Sequence, residues 1–262
     1  MDDKSIIVRK ESNIGWIVFN RPQVMNALDL NGVDEFASAL DEMENDETVK
    51  VVVLTGAGRA FCAGGDFNFF LKLYSQGSQS VQNFISHVND IVLKIANMSK
   101  FVIASVNGDA MGGGFSFALA SDMIIASENA RFGLTFIKIG LVPDTGVTYI
   151  LPRMIGPMRA KELFVTGDII NASEAFRLNI INRVVPADQL EHFTLEVAKK
   201  LSHNSLMAMG LTKALVNKSL ATGEFQTVLE YETEFQTMCL QGEDSHNLIQ
   251  NFLDKRGPLA AN

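Results

Sequence analysis

Residues 101–120, FVIASVNGDAMGGGFSFALA, carry the pattern on which the fold reading rests. Phe101–Val106 is a β-branched and apolar run that reads as a strand buried on both faces. Asn107-Gly108 breaks it, and Gly112-Gly113-Gly114 leads into residues 115–120, which are apolar and hold no helix breaker. A helix therefore starts from the glycines, and residues 123–126 return to strand. The same order occurs upstream. Residues 49–55 form a second continuous apolar run, followed by a glycine-rich loop at 56–66. A helix is expected over 81–98, with Phe84, Val88, Ile91, Val92 and Ile95 inward. Strand, loop and helix in repetition indicate a mixed α/β core.

Outward from there, residues 6–8 and 14–20 read as a hairpin around Glu11-Ser12-Asn13. Residues 29–43 place Leu30, Val33, Phe36, Ala37, Leu40 and Met43 on one helical face. Beyond Pro152 helices are expected at 158–166, 172–178, 188–201, 205–222 and 223–239, with one strand at 181–185. The division expected is a core over residues 1–200 and a helical portion over 201–262. Met207, Met209, Leu211, Leu215, Val228, Leu229, Phe235 and Met238 form an apolar stripe there. It reads first as core packing and second as a face packed on another subunit.

The 262 residues are 47% hydrophobic, and 22 basic against 30 acidic residues give a net charge of −8. That balance argues against a nucleic-acid partner. Cys62 and Cys239 cannot make a disulfide scaffold, which fits a reducing compartment. The start, MDDKSIIVRK, shows no secretory pattern, and no apolar run approaches the roughly 20 residues of a membrane span. The expectation is a cytoplasmic location. Three motifs lead nowhere. Gly56-Ala57-Gly58 follows a strand, but Phe61 stands where a dinucleotide fingerprint needs its third glycine. His87, His192, His203 and His246 have no metal-ligand spacing, so no metal site is expected. Gly114-Phe115-Ser116-Phe117-Ala118 lacks the closing glycine of a nucleophile elbow.

Two glycine clusters remain, Gly64-Gly65 and Gly112-Gly113-Gly114, each after a buried strand and before a helix. Glycine lets the main chain approach a ligand closely, and a helix N-terminus adds partial positive charge to free N–H groups. One donor from each cluster could hold a carbonyl oxygen as it gains negative charge. Tight turns alone would account for the glycines equally well.

The segments Gly56-Ala57-Gly58-Arg59-Ala60-Phe61-Cys62-Ala63-Gly64-Gly65-Asp66 and Val102 through Gly114 closely resemble the crotonase (enoyl-CoA hydratase/isomerase) family. So do Asn20-Arg21-Pro22, Asn26-Ala27-Leu28, Ala120-Ser121-Asp122, Phe132-Gly133, Gly140-Leu141-Val142-Pro143, Leu151-Pro152-Arg153 and Asp254-Lys255-Arg256-Gly257-Pro258. The resemblance implies a spiral of ββα units with C-terminal helices, assembled as a homotrimer or dimer of trimers. The partner it implies is an acyl-CoA thioester substrate, with coenzyme A as part of the substrate and no separate cofactor. By position, Gly65 and Gly113 would supply the oxyanion-hole N–H groups. Ala63 and Asp66 would border the adenine and pantetheine path, and Arg21 and Lys255 would contact phosphate.

Family hydratases use two glutamates, and in this chain those positions are Ser116 and Phe136. Hydration needs an activated water and a proton donor, which neither residue provides. One acid stands nearby, Asp144, where family branches resembling enoyl-CoA isomerases place a proton shuttle. An apolar pocket lined by Phe136, Phe69, Phe70 or Leu141 would raise its pKa. Capping of a helix starting near Thr145 is the plainer role for an aspartate at this position. A dehalogenase reading would need a tryptophan at the ring, and Trp16 lies in the N-terminal strand. The expected activity is a double-bond shift in an enoyl-CoA. A specialised hydratase and a non-catalytic acyl-CoA-binding protein are the alternatives.

Overall fold

The computed structural model describes residues 4–256. β1 (Ile6–Glu11) and β2 (Ile14–Phe19) form the expected hairpin, and α1 (Leu30–Asn45) follows. Asp29 caps α1 through a bond from the Gly32 N–H (2.9 Å). Val33, Phe36, Ala37, Leu40 and Met43 are buried as expected, whereas Leu30, on the first turn, is exposed.

The core is a spiral in which each turn gives one long strand to a large sheet and one short strand to a small sheet. β3 (Val51–Gly56) and β4 (Ala60–Cys62) lead into α2 (Phe67–Ser75) and α3 (Ser78–Asn97). β5 (Phe101–Val106) and β6 (Asp109–Met111) lead into α4 (Gly113–Ala120). β7 (Met123–Ser127) and β8 (Arg131–Gly133) lead, through a 3-10 turn at Thr135–Ile139, into α5 (Val147–Ile155) and α6 (Pro157–Thr166). β9 (Ile169–Asn171), α7 (Ala172–Arg177), β10 (Arg183–Val185) and α8 (Leu190–Ser202) close the spiral. The large sheet runs β1-β2-β3-β5-β7-β10 and the small one β4-β6-β8-β9. The ββα spiral expected from the sequence is present.

The long strands are apolar throughout because both faces of the large sheet are covered. Val52, Leu54, Val102, Ala104 and Ile124 point to one core, under α1, α3 and α4. Val51, Val53, Ile103 and Ile125 point to the other with Trp16, beneath Leu190 and Ala198 of α8. Successive side chains alternate faces, so a strand between two cores shows no polar alternation.

Three expectations need correction. Residues 56–66 are not wholly loop, since Ala60–Cys62 pairs with β6 in parallel. The helix expected at 81–98 begins at Ser78, and α2 precedes it. The strand expected at 181–185 is confined to Arg183–Val185.

Beyond the spiral lie α9 (Leu206–Thr222), α10 (Phe225–Gln241) and α11 (Glu243–Arg256). The apolar stripe on these helices is not core within this chain. Met207, Leu229 and Met238 are exposed, and α10 buries none of its residues. What ties α9 to the spiral is an ion pair. Lys213 is 8% exposed. Its ammonium donates to Asp122 Oδ2 (2.8 Å), to the Ile95 carbonyl (2.8 Å) and to the Lys100 carbonyl (3.3 Å). Asp122 also accepts the Val102 N–H (2.7 Å) at the edge of β5. Burial pushes the Asp122 carboxyl up and the Lys213 ammonium down, and their mutual attraction opposes both shifts.

Lys213→Met would leave the Asp122 charge buried without its partner, a loss of about 3–5 kcal/mol. Urea unfolding followed by Trp16 fluorescence should show it, with Asp122→Asn/Lys213→Met recovering most of the difference. Equal stability of the single and double variants would contradict this reading of the pair.

Candidate active site

The site is built where two turns of the spiral touch. β4 and β6 lie in parallel, with Cys62 opposite Ala110, so the turns that leave them run side by side. At Gly64 (φ +87°) a Cβ would stand 2.9 Å from the Met111 carbonyl oxygen and 3.0 Å from the Gly113 nitrogen. At Gly114 it would fall 2.1 Å from the Cys62 carbonyl oxygen. Only glycine allows this approach. Cys62 is sealed beneath it, its thiol pushed up to about 12 by burial and therefore inert at neutral pH.

This packing sets aside two donors. Leu28 brackets Gly65, its N–H donating to the Gly64 carbonyl (2.8 Å) and its own carbonyl accepting the Asp66 N–H (2.9 Å). The Gly65 N–H between them donates to no acceptor among the described residues. Gly113 is the first residue of α4, so its N–H has no intrahelical acceptor, and it too is unpaired among the described residues.

Both glycines line a cavity of about 290 Å³ between α2, α3 and the segment after β8. Ala63, Phe136 and Asp144 line the same space. Phe136 lies in the 3-10 turn as a buried wall, and the Leu141 N–H donates to its carbonyl (3.0 Å), folding residues 141–144 back over the cavity. Ser116, at the other hydratase-glutamate position, is fully buried and absent from the cavity wall. Its hydroxyl donates back to the Gly112 carbonyl (3.2 Å), a bond within the turn of α4.

Asp144 is half-buried and is the one carboxylate on the cavity wall among the described residues. It does not cap a helix. The N-cap of α5 is Gly146, and no side chain caps it. Thr145 is what aims Asp144. It is buried and left-handed (φ +53°), and its hydroxyl donates to the Asp144 carbonyl (2.8 Å). A β-branched residue in that region costs about 1–3 kcal/mol, a strain typical of functional turns. Burial raises the Asp144 pKa, while hydrogen bonding to Thr145 opposes the rise in part.

Asp66 and Arg21, also expected at the site, make contacts within the scaffold. The Asp66 carboxylate caps α2, accepting from the N–H groups of Asn68 (2.9 Å) and Phe69 (3.3 Å). Arg21 donates to Asp66 (3.2 Å) and to the Ala27 carbonyl (2.8 Å), and lies 3.2 Å from Asp29. Neither lines the cavity, and the guanidinium contacts Asp66, Asp29 and the Ala27 carbonyl. Lys255 lies outside the residues whose side chains are described. Phe70, Phe136 and Leu141 line the cavity as expected and Phe69 does not, while sequence patterning missed the helix α2 itself and the conformation of Thr145. An aspartate before the apolar string Phe67-Asn68-Phe69-Phe70-Leu71 is the one sign of a helix start there. Among the described residues no group of His, Cys, Asp and Glu is placed to hold a metal ion.

With two unpaired amides and one acid placed on an apolar cavity, comparison with known proteins supplies the family. The family model for enoyl-CoA hydratase/isomerase matches residues 9–260. The chain belongs to the enoyl-CoA hydratase/isomerase family. It is 34% identical to a short-chain-enoyl-CoA hydratase of Clostridium acetobutylicum, over 98% of this chain and 97% of that one. It is 33% identical to a 1,2-epoxyphenylacetyl-CoA isomerase of Escherichia coli, over 97% of each chain. The crystal structure of an enoyl-CoA hydratase from Bacillus anthracis superposes with a TM-score of 0.91 at 32% identity, covering 98% of each chain. The fold is thus the crotonase fold, and members of this family of enzymes act on acyl-CoA thioesters. No helix among the described residues is long and apolar enough to cross a membrane.

The glycine contacts make a graded prediction. Gly114→Ala drives a Cβ into the Cys62 carbonyl and should cost about 1–3 kcal/mol of stability through overpacking. At Gly113 the nearest atom to an added Cβ is 3.8 Å away, so Gly113→Ala should leave the melting temperature within a few degrees. Equal melting temperatures for the two variants would refute the contact.

Proposed function

We propose that this enzyme shifts the double bond of an enoyl-CoA between C3–C4 and C2–C3, with Asp144 as its single proton shuttle. One observation carries the reading: the lone carboxylate of the cavity faces the same space as the two unpaired N–H groups of Gly65 and Gly113. The Asp144 carboxylate takes a proton from C2 of a 3-enoyl thioester. The electron pair left at C2 spreads through the carbonyl, and the oxygen becomes the oxyanion of a dienolate. The two N–H groups stabilise that oxygen, each such donor contributing about 10²–10³ in rate. Protonated Asp144 then returns the proton to C4, and the double bond settles at C2–C3. Atoms and charge balance with no external donor or acceptor.

The apolar wall serves this step twice. It raises the Asp144 pKa, so the base is strong enough to take a carbon-bound proton, and it keeps water from quenching the dienolate. A hydratase reading is supported by the names of several relatives, among them the short-chain-enoyl-CoA hydratase and a crotonyl-CoA hydratase of Syntrophomonas wolfei, each 34% identical. In that case Asp144 would serve as both base and acid.

Asp144→Asn should lower turnover of a 3-enoyl-CoA by about 10²–10⁴-fold while acyl-CoA binding persists. Because the base must be ionised, the wild-type rate falls as pH drops through the Asp144 pKa, and that acid limb lies above pH 3.8. Retained turnover in Asp144→Asn would end the proposal. Turnover of crotonyl-CoA with no action on the 3-enoyl-CoA would turn it to the hydratase.

A further inference from the structure

The cavity that holds Asp144 is lined along one side by Val81, Phe84, Ile85 and Val88, all from α3. Phe70 and Leu73 of α2 continue the wall. Phe70 packs edge-on to Phe84 on the wall, with ring centroids 6.0 Å apart, and Phe69, off the wall, lies 4.9 Å from Phe84. Leu73, Phe84 and Val88 are buried, although they border open space. No lysine, arginine or histidine is on the cavity wall among the described residues, and its carboxylate is Asp144.

We infer that the acyl group taken by this site is a medium-length apolar chain, about eight carbons, with no charged terminus. The inference rests on the reading above, in that the thioester must lie between Gly65 and Gly113. Length follows from α3. From Val81 to Val88 the helix rises about 10 Å, at about 1.5 Å per residue. An extended chain advances about 1.2 Å per bond, by analogy with about 3.5 Å for the three bonds of a residue, so roughly eight carbons match that wall. A four-carbon acyl group would leave much of this apolar surface uncovered. Each methylene moved from water onto it improves affinity about fourfold. The charge preference follows from the lining. A terminal carboxylate would enter an apolar space with no cation to pair it among the described residues.

The test is calorimetric titration of the full chain with saturated thioesters, which bind but cannot isomerise. Butyryl-CoA, octanoyl-CoA and the eight-carbon dicarboxylic monothioester suberyl-CoA are the three probes. Octanoyl-CoA should bind at least tenfold more tightly than butyryl-CoA, and suberyl-CoA at least tenfold more weakly than octanoyl-CoA. Val88→Trp, which fills part of the cavity, should remove the advantage of octanoyl over butyryl. Equal or tighter binding of butyryl-CoA overturns the length assignment, and suberyl-CoA binding as tightly as octanoyl-CoA overturns the charge assignment. Loss of the isomerase reading alone would leave this order of affinities intact, so the two failures are distinguishable.

Discussion

The chemistry proposed here depends on two main-chain turns meeting with no side chain between them. Gly64 presses on Met111 and Gly113, and Gly114 presses on Cys62. Parallel pairing of β4 with β6 forces the contact, and the large sheet behind them fixes where those strands begin. The result is two amides left over from the ladders. Gly65 is skipped by the bridge to Leu28, and Gly113 is the first residue of its helix. Donors fixed in this way need no reorganisation as charge develops on an oxygen, which is the condition under which they are most effective.

Around these donors the cavity wall is mostly apolar, and the one acid on it among the described residues precedes a strained turn. Thr145 adopts a left-handed conformation unusual for a β-branched residue. That turn separates Asp144 from the start of α5, so the carboxyl faces the cavity instead of capping the helix. The arrangement is the reverse of the Asp66 one. Asp66 is also an aspartate beside the Gly64-Gly65 turn, yet its oxygens are occupied by the α2 amides and by Arg21. Of two acids only a loop's length from the same cavity, the backbone frees one and ties down the other.

How much of this the sequence made legible follows from what each residue packs against. β3, β5 and β7 could be read because both of their faces are buried, giving unbroken apolar runs. The strands of the small sheet could not be: β4, β6, β8 and β9 are three residues each, too short to show a period of two. Gly65, Gly113 and Asp144 are singled out by resemblance, and the fold brings all three to one cavity. The Arg21–Asp66 pair spans 45 residues, and such a pair leaves no local trace in the sequence. The stripe on α9 and α10 shows a different limit. Its periodicity correctly marks an apolar face, but periodicity does not say what covers that face, and in this chain Met207, Leu229 and Met238 stay exposed.

The most direct measurement is the infrared stretch of a thioester carbonyl, carbon-13 labelled, on a saturated acyl-CoA bound to the protein. Two converging amides should polarise the C=O bond and move its band to lower wavenumber than in free acyl-CoA in water. A band at or above the free value would mean that the Gly65 and Gly113 N–H groups do not grip the oxygen, and catalysis through a stabilised dienolate would lose its physical basis.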